Sequence, residues 1–304
     1  MLSSVRGTGG AVESEQWPVV RDVLSDVTGR FADLVAGSDP NALATPDWTV
    51  ADTAAHVVAI ASIYTTLLAP DGAEVADPAL AERIPTVTVD TVADLNDLAL
   101  RQFTERDPAT LAAMLRSMVA SILDMTAATD PERAVPWLGS SRVPIAGVLA
   151  HLVNELLIHG WDIARGVGTP WSIPPREAAL FFELFIVGMM RNDVGGVLDG
   201  EPPSDRRVAV AFRSRHTTPV TIVLHRGRVS VGEPGAPVDV RLTFDPAVLN
   251  LVLFGRVSHA RAALTGKLRV SGRRPWLLPA FLRTVRLPTN SVPLSSNRTD
   301  DVAG

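Results

Sequence analysis

Residues 144–168, PIAGVLAHLVNELLIHGWDIARGVG, decide how this chain folds. Pro144 suits a helix start, because its φ is already helical and its missing N–H costs nothing there. Gly166 and Gly168 supply a left-handed stop. Projected at about 100° per residue with His151 at zero, Asp162 falls near 20°, Glu155 near 40° and His159 near 80°. Leu152, Val153, Leu156, Leu157, Ile163 and Ala164 lie on the opposite side. Four side chains of metal-ligating type thus share one arc that no lysine or arginine interrupts. Residues four apart on a helix have Cβ atoms about 5–6 Å apart, so Glu155 and His159 can reach one ion. An amphipathic helix with its polar stripe in water has the same pattern. The two histidines weigh against that, since solvated stripes ordinarily use Lys, Arg, Glu and Gln. Gly160 inside the helix costs about 1 kcal/mol relative to alanine, which predicts another backbone packed against it.

On the N-terminal side, more helices are legible. Val20, Val23, Leu24, Val27, Phe31 and Leu34 recur at steps of three and four between Glu15 and Ala36. Thr49 with Asp52 forms a capping-box pattern that opens a helix running to Leu68, before Pro70. That helix is apolar nearly all round, so His56 is expected to point into the protein, either as a hydrogen-bonded core histidine or as a ligand. Thr91 and Asp94 repeat the capping pattern ahead of Leu95, Leu98 and Phe103. Pro108 starts a helix through Leu123, and Pro174-Pro175 one to about Met190. Five or six helices over the first two-thirds of the chain predict a helical bundle.

Beyond it, Gly195–Asp205 (GGVLDGEPPSD) has a linker's composition. The hydrophobic period then switches to two. Arg207–Phe212, Val220–His225, Val229–Val231 and Val238–Phe244 read as strands. Asp245-Pro246 caps a helix to Phe254, Ser258–Leu264 gives a second, Leu268–Val270 a further strand and Trp276–Val285 a last helix. The expected organisation is an α domain over 14–195 followed by a small α+β domain over 206–288, with 1–13 and 289–304 disordered.

The 304 residues are 46% hydrophobic and 20% charged, with a net charge of −5, which suits a folded protein and excludes wholesale disorder. The acidic balance lacks the basic footprint of a nucleic-acid binder. No run of 18 uninterrupted apolar residues predicts a membrane span; the nearest is Ala178–Met190, which holds Glu183. The first seventeen residues lack the apolar core of a signal peptide, so a cytoplasmic location is expected. With no cysteine, disulfides, thiolate ligands and a cysteine nucleophile are excluded. A His₂Glu set built from His56, Glu155 and His159 would leave coordination positions open, as catalytic zinc sites do.

Thr45–His56 (TPDWTVADTAAH) and His151–Asp162 (HLVNELLIHGWD) resemble the mycothiol-dependent maleylpyruvate isomerase family. The shared pattern is Pro-x-Trp-Thr-x-x-Asp leading to a histidine, then Glu-x-x-x-His on a later helix. Val238–Leu249, Leu253–Arg256 and Leu264–Gly272 are similar to the sterol-carrier-protein-like domains often fused to this bundle. The resemblance implies a DinB-like four-helix bundle whose divalent metal, most often zinc, is held by His56, Glu155 and His159. Asp162 and His151 would sit beside those ligands, with Asp162 orienting one of them. It also implies mycothiol as thiol co-substrate and a small-molecule electrophile as partner. The reaction would be cis–trans isomerisation, such as maleylpyruvate to fumarylpyruvate, or S-transfer, in a monomer or homodimer. Arg256, Arg273 and Arg274 are candidates to grip carboxylates. The competing expectation is a lipid- or acyl-binding protein with a merely metal-stabilised bundle, which requires an apolar tunnel within Val208–Val285.

Overall fold

The computed structural model describes residues 15–69, 77–199 and 205–286, so the terminal segments expected to be disordered, 1–13 and 289–304, lie outside the described residues. Four long helices form the bundle: α1 (Gln16–Ala36), α2 (Val50–Leu68), α5 (Pro108–Met125) and α6 (Ile145–Val167). Helices α1 and α2 each pack between α5 and α6. Two shorter helices, α3 (Pro78–Arg83) and α4 (Val92–Gln102), follow α2, and α4 packs on it.

Local chemistry explains most boundaries. Thr49 and Asp52 exchange side-chain and backbone hydrogen bonds in a full capping box at the start of α2. Asp107 caps α5 through Thr110 N–H, with Pro108 in the first turn. Gly168, at φ +71°, ends α6 in the left-handed region. The second capping pattern is not realised. Thr91 precedes α4, but its hydroxyl accepts from the Thr88 N–H at 2.9 Å instead of from the helix.

The sequence gives no sign of the short hairpin β1 (Ala134–Pro136) and β2 (Arg142–Pro144), which leads directly into α6. After α6, one continuous helical segment runs through α7 (Pro175–Leu180), a π-helical turn (Phe181–Ile186) and α8 (Val187–Asn192). The beginning of the expected linker is packed rather than free. Val197 is buried, and its carbonyl accepts from Val89 N–H at 2.8 Å.

Strands β3 (Val208–Arg213), β4 (Val220–His225), β5 (Arg228–Val231), β6 (Val240–Phe244) and β7 (Leu268–Gly272) form one sheet in the order β5-β4-β3-β6-β7. Only β3 and β6 pair in parallel, with Val210 opposite Val240. Helices α9 (Pro246–Leu253), α10 (His259–Leu264) and α11 (Leu278–Thr284) complete this part. Asp245 caps α9 as its sequence predicts, and Ser258 caps α10.

Bundle and sheet share a core. Phe182, on the π-helical turn, packs against Phe212 and Phe244 of the sheet, with ring centroids 5.3 and 5.1 Å apart. Asn250 of α9 is buried and donates to the Asn154 side chain of α6 at 2.9 Å and to the Ala178 carbonyl at 3.1 Å. The protein is thus a helical domain joined to a small sheet-containing domain. Among the described residues, α2 rather than 178–190 is the helix long and apolar enough to cross a membrane. Its most apolar window is 61% buried inside the bundle, which is the setting of a core helix.

Candidate metal centre

Two local devices aim the first histidine. The 45–49 turn is closed by Trp48 N–H donating to Thr45 Oγ1 at 3.0 Å, and the capping box at Thr49 then launches α2. Arg106 fixes Asp52 of that box at 2.9 Å. Two turns into α2, His56 points inward, 4% exposed, under the Trp48 ring at a centroid distance of 4.8 Å.

The polar arc of α6 meets it there. Glu155 and His159 are 7% and 6% exposed, and Asp162 is 3% exposed, so the stripe does not face water. Glu155 Oε2 lies 3.2 Å from His159 Nε2 and 3.7 Å from His56 Nε2. One donor atom from each of His56, Glu155 and His159 falls within 4.8 Å of the others, a spread that one ion can span. The Trp48 ring also covers His159, at 6.1 Å.

The flanking residues act on this trio from both ends. Asp162 Oδ2 lies 3.2 Å from His159 Nδ1, off the line of a good hydrogen bond, and leaves that nitrogen without an aligned partner. Arg256 from the sheet-containing domain grips Asp162 with two bonds, Nε to Oδ1 at 3.0 Å and Nη2 to Oδ2 at 2.6 Å. At the other end His151 Nε2 lies 3.5 Å from Glu155 Oε1, and its Nδ1 is 3.0 Å from Tyr64 Oη. Trp137 Nε1–H donates to that same hydroxyl at 2.9 Å. The tyrosine proton is therefore left for His151 Nδ1, which puts the neutral imidazole's own proton on Nε2, toward Glu155.

Burial sets the charges. It opposes the charge on Glu155, but the neighbouring His159, His56 and His151 outweigh it and hold the carboxyl well below the usual range. Burial lowers His56 and His151 below an ordinary imidazole. It would lower His159 too, but Asp162 and Glu155 on either side raise that residue to about 9. Burial also opposes ionisation of Asp162, which contacts with His159 and Arg256 nevertheless keep below the ordinary carboxylate value.

The trio lines a cavity of about 440 Å³ with largely apolar walls, including Ile60, Ile63, Leu95, Phe181 and Phe185. Exposed Pro85, Ser140 and Arg142 mark where it meets solvent. Among the described residues of the sheet-containing domain, Phe254, Arg256 and Arg286 reach it.

Several expectations change. The residue packed on Gly160 is not a backbone but the Trp171 ring, which a Cβ there would strike. Backbone approaches this helix at Gly147, against the Leu184 carbonyl, and at Gly166, against the Leu43 carbonyl. Of the arginine candidates, only Arg256 lines the cavity; Arg273 and Arg274 are exposed, and Arg274 pairs with Asp239 at 3.4 Å. Sequence reasoning missed Tyr64, Trp137, Arg142 and Arg286. For Tyr64 a signal existed: it is the single tyrosine in the chain, eight residues after His56 and so within about 80° of it around α2.

Residues 24–164 match the family described as the mycothiol maleylpyruvate isomerase N-terminal domain. The match covers most of the helical part of the chain. The resemblance seen in the Thr45–His56 and His151–Asp162 segments holds at that level. Residues 205–274 match the SCP-2 sterol transfer family, which agrees with the pattern seen in the second domain. Among solved structures, the chain is similar to the mycothiol-dependent maleylpyruvate isomerase at 14% identity and a TM-score of 0.47, covering 84% of this chain and 92% of that one. A histidine-to-alanine mutant of that isomerase gives the same values. Sterol Carrier Protein 2 from Yarrowia lipolytica, in its apo form, is 21% identical over 23% of this chain and 64% of its own, with a TM-score of 0.19. No curated protein matches the chain.

Proposed function

We propose that the protein is an enzyme that binds one divalent metal ion, zinc, through His56, Glu155 and His159. In this reading it adds the thiol of mycothiol to a small electrophile, with cis–trans isomerisation or S-transfer as the outcome. The observation that carries the reading is the meeting of three buried donor groups at the wall of a largely apolar cavity. Two imidazoles and a carboxylate suit zinc, and three protein ligands leave positions open. When bound, such an ion supplies Lewis acidity that lowers the pKa of a thiol beside it. The chain has no cysteine to provide that thiol itself.

The protein's own groups do the rest. Asp162, held by Arg256, sits at the Nδ1 side of His159 and leaves Nε2 facing Glu155. The Trp137–Tyr64–His151 chain engages Glu155 Oε1 and leaves Oε2 toward the two histidines. The apolar walls keep water from the reacting carbon. A cytoplasmic setting, where small thiols stay reduced, follows from the same reading. The carrier alternative needs its apolar tunnel in the second domain, whereas this cavity draws nearly all its lining from the helical one.

The test is metal content by plasma mass spectrometry on protein purified without chelator or affinity tag. The expected result is about one ion per chain in wild type and none in His159→Ala. Wild type that stays metal-free after incubation with zinc would overturn the proposal. Zinc-loaded protein is then mixed with an electrophile, and turnover is expected only when mycothiol is present.

A further inference from the structure

The cavity wall bears on the kind of substrate. Among the described residues three arginines line it, Arg142, Arg256 and Arg286, and each already has a partner. Arg256 is committed to Asp162 by two bonds, with its partner almost fully buried. Arg286 Nη2 contacts both carboxylate oxygens of Asp90 at 2.7 Å. Arg142 is exposed at the rim and gives Nη2 to the Ala134 carbonyl at 2.6 Å. A small dicarboxylate needs two cationic partners, and recruiting Arg256 would strand Asp162 in a buried site. Of the wall's other neutral polar side chains, Thr66, Ser140 and Ser141 donate to backbone carbonyls, and Asn96 adds one amide. Tyr64 is spent on Trp137 and His151, while Ile60, Ile63, Leu67, Phe181, Phe185 and Met189 present hydrocarbon. A volume of about 440 Å³ falls within the range of small-molecule sites.

We propose that the substrate admitted to this cavity is a molecule with an uncharged, largely apolar body, aromatic or alkyl, and not a small dicarboxylate. The inference rests on the proposed function for its chemistry but on the wall alone for its class. Bound, such a body lies against the Ile60–Ile63 face of α2 and the Phe181–Phe185 face opposite, and exchanges water for hydrocarbon.

Isothermal titration calorimetry tests this with two unreactive probes, 2-naphthol and maleate, on protein incubated with zinc and assayed for metal. The expected result is saturable 2-naphthol binding in the micromolar range with a negative heat-capacity change, and no saturable heat from maleate. Ile63→Asp puts a charge in the wall and is expected to weaken 2-naphthol about tenfold or more. Arg286→Met is expected to leave it within about twofold. Saturable maleate binding that Arg286→Met abolishes would overturn the proposal, as would 2-naphthol affinity indifferent to Ile63→Asp. The two readings fail separately. Protein that takes up 2-naphthol but refuses zinc refutes the metal centre and keeps the substrate class, while zinc-loaded protein that ignores 2-naphthol does the reverse.

Discussion

In β6, Val240, Leu242 and Phe244 are buried while Arg241 and Thr243 face water. In α6, Asn154, Glu155, His159 and Asp162 are nearly as buried as the leucines around them. The strand follows the alternation that any half-buried sheet requires, and its residues need no explanation beyond packing. The helix keeps ionisable groups inside, where each unpaired charge costs several kcal/mol. It does so by setting opposite charges and hydrogen-bonding groups next to one another, from Tyr64 through His151, Glu155, His159 and Asp162 to Arg256. Obeyed patterning identifies scaffold, and costly burial identifies the part held ready for chemistry.

The largest expected effect breaks the contact between the two regions. Phe182→Ala removes a ring that packs on Phe212 and Phe244, and is expected to cost about 3–5 kcal/mol in urea unfolding. A loss under about 1 kcal/mol would mean that the regions do not share a core as described.

Next comes the ionic series itself. Asp162→Ala leaves the Arg256 guanidinium without its carboxylate and is expected to cost about 3 kcal/mol. The double variant Asp162→Ala with Arg256→Met is expected to recover part of that loss. Strict additivity of the two single changes would show that the pair is not coupled.

The smallest effect concerns the cap that launches α2. Asp52→Ala is expected to cost about 1 kcal/mol at neutral pH. Partial burial works against the Asp52 charge, but bonds with Thr49 and the Arg106 guanidinium lower its pKa. A depressed carboxylate stabilises the fold above its unfolded value, about 4, and that contribution is lost as pH falls through the lower folded value. The gap between wild type and variant should therefore stay level from about pH 7 to 5 and close in acid. A gap that widens toward acid would show that the cap does not act through its charge.

How far the sequence was legible follows the same division. Helix starts could be read wherever the cap is local, as at Thr49, Asp107, Asp245 and Ser258, because donor and acceptor lie within three residues. Thr91 misled because a nearby backbone N–H, that of Thr88, competes for the same hydroxyl. Three-residue strands such as Ala134–Pro136 are too short to show alternation. The arc of His151, Glu155, His159 and Asp162 was visible as helical spacing, since periodicity along one element is what a sequence displays directly. The partners Tyr64, Trp137 and Arg256 come from other elements, 73 residues separating the first two, and no local period connects them. Gly160 announced close packing without saying that the Trp171 ring causes it.

The π-helical turn at Phe181–Ile186 acts as a phase shifter. Upstream of it α7 packs on α9, and downstream α8 packs on β2 and β5, Met189 lines the cavity and Gly188 lies under Pro144, with no room for a Cβ. Winding the same six residues as a regular α-helix would rotate everything after them by about 100°. Met189 would swing off the cavity wall, and a bulkier neighbour would replace Gly188 beside the proline. The turn thus takes up one residue more than a regular α-helix would over the same arc. Among relatives, a one-residue gap here is expected to go with a regular α-helix and with the same face turned to the cavity.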